Sequence, residues 1–116
     1  MDKKRETANF IAESWRFCNF VETLVFKQSG DEQKRYAAKI EWHRRQLANF
    51  VAACGYKIPD FTTADYSPGA AFTPLNADDF APDDKLTVDY MIEPTILDEG
   101  GNIIKFGTAM LRKKEE

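Results

Sequence analysis

Apolar residues between about Lys4 and Gln28 recur at helical spacing. Phe10, Phe17, Val21 and Leu24 form one stripe, Ile11, Trp15, Cys18 and Val25 form a second beside it, and Phe20 and Phe26 widen the surface further. This spacing predicts one long helix. A helix lying on a single neighbour needs an apolar face of about 100° or a little more; this face is wider, which calls for more than one partner. Ser29-Gly30-Asp31-Glu32 breaks the pattern. Gly30 can end the first helix, and Ser29 with Glu32 has the spacing of a capping box for a second. That helix runs from about Asp31 to Cys54 and carries Tyr36, Ile40, His43, Leu47, Phe50 or Val51, and Cys54 at alternating steps of three and four, with Gly55 as its C-cap. The short connection makes the two helices antiparallel neighbours.

Two helices alone cannot bury two wide stripes. The simplest solution is a four-helix bundle formed by two chains across a two-fold axis, with Phe10, Phe17, Val21, Leu24, Ile40 and Leu47 at the dimer contact. The alternative is that the second half of the chain covers the remaining face.

The pattern changes at Gly55. All five prolines follow it, and turn signals replace helical periodicity. The expected division is a helical hairpin over 1–55 and a β head over 56–116. Tyr66-Ser67-Pro68-Gly69 reads as a turn and Asp78 to Asp84 as a solvated acidic loop lacking the spacing and turn glycine of a calcium loop. From Lys85 to Ile92 the residues alternate, with Leu86, Val88, Tyr90 and Ile92 on one face and Lys85, Thr87 and Asp89 on the other. Asp98-Glu99-Gly100-Gly101-Asn102 reads as a hairpin turn joining Thr95–Leu97 to Ile103–Phe106, and Gly107 marks a bulge or bend before Thr108–Leu111. The fold class is α+β: an antiparallel helical hairpin followed by a small antiparallel β head.

Composition narrows function by exclusion. The chain has 116 residues, 43% of them hydrophobic and 30% charged, which suits a folded soluble protein. A net charge of -3, with basic residues clustered only beside acids or near the termini, argues against nucleic acid. Glu13 and Arg16 interrupt any signal-peptide pattern, and no run approaches the roughly 20 apolar residues of a membrane span. The expected location is cytoplasmic. Cys18 and Cys54 fall on apolar helix faces, as free buried thiols do. His43, the only histidine, has no second ligand at metal spacing and reads as a half-buried structural residue. No nucleophile with a partner base and no phosphate-cradling glycine loop is present. The expectation is a binding protein, not an enzyme, with no metal or cofactor.

From about Leu47 onward the order of features resembles a shortened GrpE-type nucleotide exchange factor, the cochaperone of Hsp70 proteins. Asn49-Phe50-Val51-Ala52-Ala53-Cys54-Gly55-Tyr56-Lys57-Ile58 is similar to that family's helix-to-head junction, and Asp65-Tyr66-Ser67-Pro68 to its Asp-Pro step. Asp78-Asp79-Phe80-Ala81-Pro82, a strand and a glycine-containing hairpin follow, and Asn102-Ile103-Ile104-Lys105 looks like the closing strand pair, where a basic residue follows an aliphatic one. The resemblance implies a homodimer whose β head enters the nucleotide-binding domain of an Hsp70-like partner and promotes ADP release. The expected partner-binding residues are Met91, Glu93, Asn102, Lys105 and Phe106, taken as exposed strand and hairpin positions, with Lys105 matching the family's basic position. The competing expectation is an adaptor or structural accessory protein without exchange activity.

Overall fold

A computed structural model describes residues 3–115. The protein is α+β: two long helices precede a small set of strands. It divides into two compact units between Tyr56 and Lys57.

In the first unit, α1 spans Lys3–Phe26 and α2 spans Gly30–Ala53. The first helix winds down through tight turns, with the Lys27 and Gln28 amides donating to the Leu24 and Val25 carbonyls. Gly30 opens α2 with a φ of 65° rather than closing α1. Ser29 has the extended backbone of an N-cap, but its side chain makes no capping bond. The expected capping box is therefore not formed, and Asp31 and Glu32 complement the helix dipole from the first turn instead. The far end closes as a Schellman motif. Gly55 takes a φ of 78°, its amide donates to Ala52, and the Tyr56 amide reaches back to Val51 at 3.0 Å.

The two stripes of α1 have different fates. Ala8, Ile11, Ala12, Cys18 and Val25 are buried, whereas Phe10, Phe17 and Leu24 are exposed. Val21, Ile40 and Leu47 are half-buried. Arg44 of α2 ties the helices together, donating to Asn19 Oδ1 at 2.6 Å and to the Glu22 carboxylate. Among the described residues no helix is long and apolar enough to cross a membrane.

The second unit is built on a three-stranded sheet in the order β1-β5-β2, where β1 is Phe72–Pro74, β2 is Leu86–Glu93 and β5 is Gly107–Lys113. In chain order, between β2 and β5, comes a separate two-stranded ribbon of β3, Ile96–Leu97, and β4, Ile103–Lys105. The head is mixed rather than antiparallel. β2 runs antiparallel to β5, but β1 runs parallel to it, pairing Phe72 with Gly107 and Pro74 with Ala109. Pro74 lacks an amide proton and is tolerated because β1 is an edge. Phe72, Val88, Ala109 and Leu111 form the core, with Phe61, Tyr66, Phe80 and Met91 packed against it.

The strict alternation expected along β2 fails after Val88. Val88 opposes Leu111 and Tyr90 opposes Met110, so Asp89 is an extra residue, and a second shift lies between Met91 and Glu93. Each insertion moves the following side chains to the other face of the sheet. Tyr90 is therefore exposed and Met91 turns to the core. Asp89 is left beside Arg112, with an N–O distance of 3.7 Å.

At the start of β5 the chain passes close to the end of β2. A Cβ on Gly107 would lie 2.6 Å from the Glu93 carbonyl oxygen and 2.7 Å from the Thr95 amide nitrogen, so only glycine fits. The buried Thr95 hydroxyl accepts the Gly107 amide and donates to the Ala71 carbonyl at 2.7 Å.

Candidate interaction surfaces

One candidate surface lies on the helical hairpin. Phe10, Phe17, Phe20 and Leu24 of α1 are 65, 62, 59 and 44% exposed. Scattered exposed apolar residues are common on folded chains, and it is grouping that points to an interaction surface; here the Phe17 and Phe20 ring centroids lie 6.5 Å apart. Beside the row runs an apolar groove of about 430 Å³ whose walls include Val21 and Leu24 from α1 and Tyr36, Ile40 and His43 from α2. The structure thus groups the expected contact residues Phe17, Val21, Leu24 and Ile40, and places Phe10 further along the same helix face. His43 is exposed on the groove wall rather than half-buried, because α2 turns little of its surface inward: Val51 is its only buried residue. Sequence reading gave Phe20 only a widening role, although it stands seven residues after Glu13 and seven before Lys27 on the same face.

A second candidate surface lies on the head. The Lys105 ammonium stands 4.0 Å from the Glu93 carboxylate, both side chains about three-quarters covered (25% and 28% exposed). Glu93 Oε1 also accepts the Thr108 hydroxyl at 3.4 Å. Lys105 is therefore not the solvent-facing charge expected from its place after Ile104. It crosses from β4 toward the end of β2. Phe106, next in the chain, is 57% exposed, and Ile103 and Tyr90 are exposed as well.

Asn102 is exposed but committed to its own turn. Its amide donates to Asp98 Oδ1 at 2.9 Å and its side-chain nitrogen to Asp98 Oδ2 at 3.2 Å. The Gly100 amide shares Asp98 Oδ1, and of the two glycines only Gly101 needs a positive φ, at 82°. Met91 packs against the core and is not an exposed position. The structure brings together Glu93 and Lys105 and exposes Phe106 and Asn102.

Among the described residues no group of three or more His, Cys, Asp or Glu could hold a metal ion. Burial raises the Cys18 thiol above its ordinary 9.0, with Arg44 pulling the other way. The Thr62 backbone amide, donating to Asp60 Oδ1 at 2.9 Å, holds the exposed Asp60 carboxyl low. These two groups lie in different units. Comparison with protein-family models, with curated proteins and with solved structures returns no match.

Proposed function

We propose that the protein is a cytoplasmic, non-enzymatic binding module of the GrpE type, which self-associates through its helical hairpin and uses its β head to engage the nucleotide-binding domain of an Hsp70-like partner. It has no chemistry of its own. By binding the nucleotide-open state of that partner better than the closed state, it shifts the population toward ADP release. The observation that carries this reading is the cluster on the head: Glu93 and Lys105 paired at 4.0 Å with Phe106 exposed next in the chain. A covered charge pair beside an exposed aromatic is the kind of surface on which a few residues supply most of the binding energy. The α+β order of hairpin then head supports the same reading. Labelled-ADP release from a candidate Hsp70-like protein tests it. Release should quicken on addition of this chain and lose that effect when Phe106 is replaced by Ala. Binding without faster release would favour the adaptor, and no binding would discard the partner class.

A further inference from the structure

Charged residues flank the exposed row of α1. Phe10, Phe17 and Leu24 follow one another at intervals of seven residues, and Glu6, Glu13, Phe20 and Lys27 form a second series at the same interval. Seven-residue series three apart lie on one helix face. Lys3 stands at the head of the first series, Glu6 and Glu13 follow in the second, the middle is apolar and aromatic, and Lys27 lies one residue past the end of the helix. Two such faces laid parallel would set Glu13 beside Glu13 and Lys27 beside Lys27. Laid antiparallel, they set Lys27 of each against Glu6 and Glu13 of the other, so the face complements itself under a two-fold rotation. Glu13 has a near neighbour in Arg16 at 3.3 Å, but both side chains are largely exposed, which leaves its carboxylate accessible to a second cation.

The groove supplies an independent reason for the same direction. It opens beside Val21 and Leu24, near the interhelical turn, while Phe10, the most exposed member of its row, stands near the other end of α1. In an antiparallel pair crossing between Phe17 and Phe20, Phe10 of one chain arrives level with Leu24 to Lys27 of the other, at the groove mouth. A parallel pair would leave the groove facing its own copy and Phe10 stacked on Phe10.

We propose that two copies of this chain pack through α1 in antiparallel fashion, with the two-fold axis between Phe17 and Phe20, Phe10 of each copy seated in the other's groove, and Lys27 of each facing Glu6 and Glu13 of the other. This rests on the reading that the hairpin self-associates, and fixes its geometry.

Sedimentation equilibrium on the full chain, with helix content followed by circular dichroism, tests both levels. The unaltered chain should be a dimer at micromolar concentration. Lys27→Glu should weaken the dimer at least about five-fold at low salt without loss of helix, because it sets like charges against each other at both ends of the contact. Adding Glu6→Lys and Glu13→Lys to the same chain should bring the affinity back to within about two-fold, since charge pairing is then restored with signs exchanged. Phe10→Ala should weaken the dimer as well. A dimer indifferent to Lys27→Glu and to Phe10→Ala would overturn the antiparallel geometry and leave self-association standing. A monomer would overturn self-association itself, and a face that binds a different protein would show itself in that way.

Discussion

The side-chain amide of Asn76 satisfies both backbone groups of Leu111: the Leu111 amide donates to Asn76 Oδ1 and Asn76 Nδ2 donates to the Leu111 carbonyl, each at 2.9 Å. β1 ends at Pro74, and after the Leu75 amide donates to the Ala109 carbonyl at 3.0 Å the edge of β5 at Leu111 meets a side chain in place of a further peptide. The asparagine side chain stands in for one, extending the edge strand by a single surrogate peptide group next to the core residue Leu111.

Asn76→Ala should therefore destabilise the head by about 1–3 kcal/mol, the usual penalty for leaving polar groups unpaired away from water. Asn76→Asp should be no better, because a carboxylate can accept from the Leu111 amide but is repelled by its carbonyl. Urea unfolding of the two variants checks this, and an Asp variant as stable as the native chain would show that the Leu111 carbonyl bond contributes nothing.

Gly107→Ala meets backbone atoms at 2.6 Å and 2.7 Å, which no rotamer change can relieve. A loss of about 1–3 kcal/mol is expected from overpacking of this kind. Gly101→Ala has open space around it but a φ of 82°, so its loss should be smaller, about 1–2 kcal/mol from left-handed backbone alone. The ordering of the two thermal midpoints is the check.

The two faces of α1 should respond oppositely to truncation. Ile11 is fully buried, and Ile11→Ala is expected to remove about 2–5 kcal/mol. Phe17→Ala removes a larger side chain that is mostly exposed within one chain, so at dilutions where the chain is monomeric its midpoint should shift by no more than about 0.5 kcal/mol equivalent. A comparable loss at both sites would mean that Phe17 is covered within its own chain.

Lys105→Glu sets a second carboxylate against Glu93. The pair is partly exposed and at the long limit of an ion pair, so the stability loss should stay near about 1 kcal/mol. Exchanging both charges, Glu93→Lys with Lys105→Glu, should recover the stability. If the head binds its partner through this pair, the exchange should not recover affinity, since the field presented outward is reversed. Recovery of both would assign the pair to the fold alone.

Burial holds the Cys18 thiol above its ordinary 9.0 in the folded chain. The folded state keeps its proton where the unfolded state has begun to lose it, so the contribution is fully present below the unfolded value. It fades as pH rises from there through the raised folded value. Denaturation midpoints should fall with increasing pH in that alkaline window, and Cys18→Ala should flatten the fall. In the native chain the half-buried Cys54 should react with a thiol reagent well before Cys18.

The helical half was the more legible part of the sequence, because a periodicity of 3.6 residues repeated over more than twenty positions leaves few alternatives. Even the existence of two stripes with different environments could be read, though not which one turned inward. The head resisted for three physical reasons. β1 has three residues including a proline, too few to show any period, and its parallel partner lies far along the chain. The bulges at Asp89 and beside Ile92 leave no mark in a composition that goes on alternating, so Met91 and Tyr90 were assigned to the wrong faces. The placement of Lys105 depended on Glu93, a residue on another strand whose proximity only the tertiary fold creates. Pairing of Glu93 with Lys105 could have been suspected from their opposite charge, but nothing local fixed the distance.

The central position of β5 has a consequence for biosynthesis. It is the strand that both β1 and β2 need, yet it follows each of them in the chain. As the polypeptide leaves the ribosome, the helical hairpin, made of local contacts, can close early, with its aromatic row already on display. The sheet of the head cannot begin to close until Gly107 to Lys113 have emerged, so β1 and β2 wait with unpaired edges. Nascent chains stalled before that point should carry a formed hairpin and an unfolded head, the stage at which capture by a chaperone or by another nascent copy is easiest.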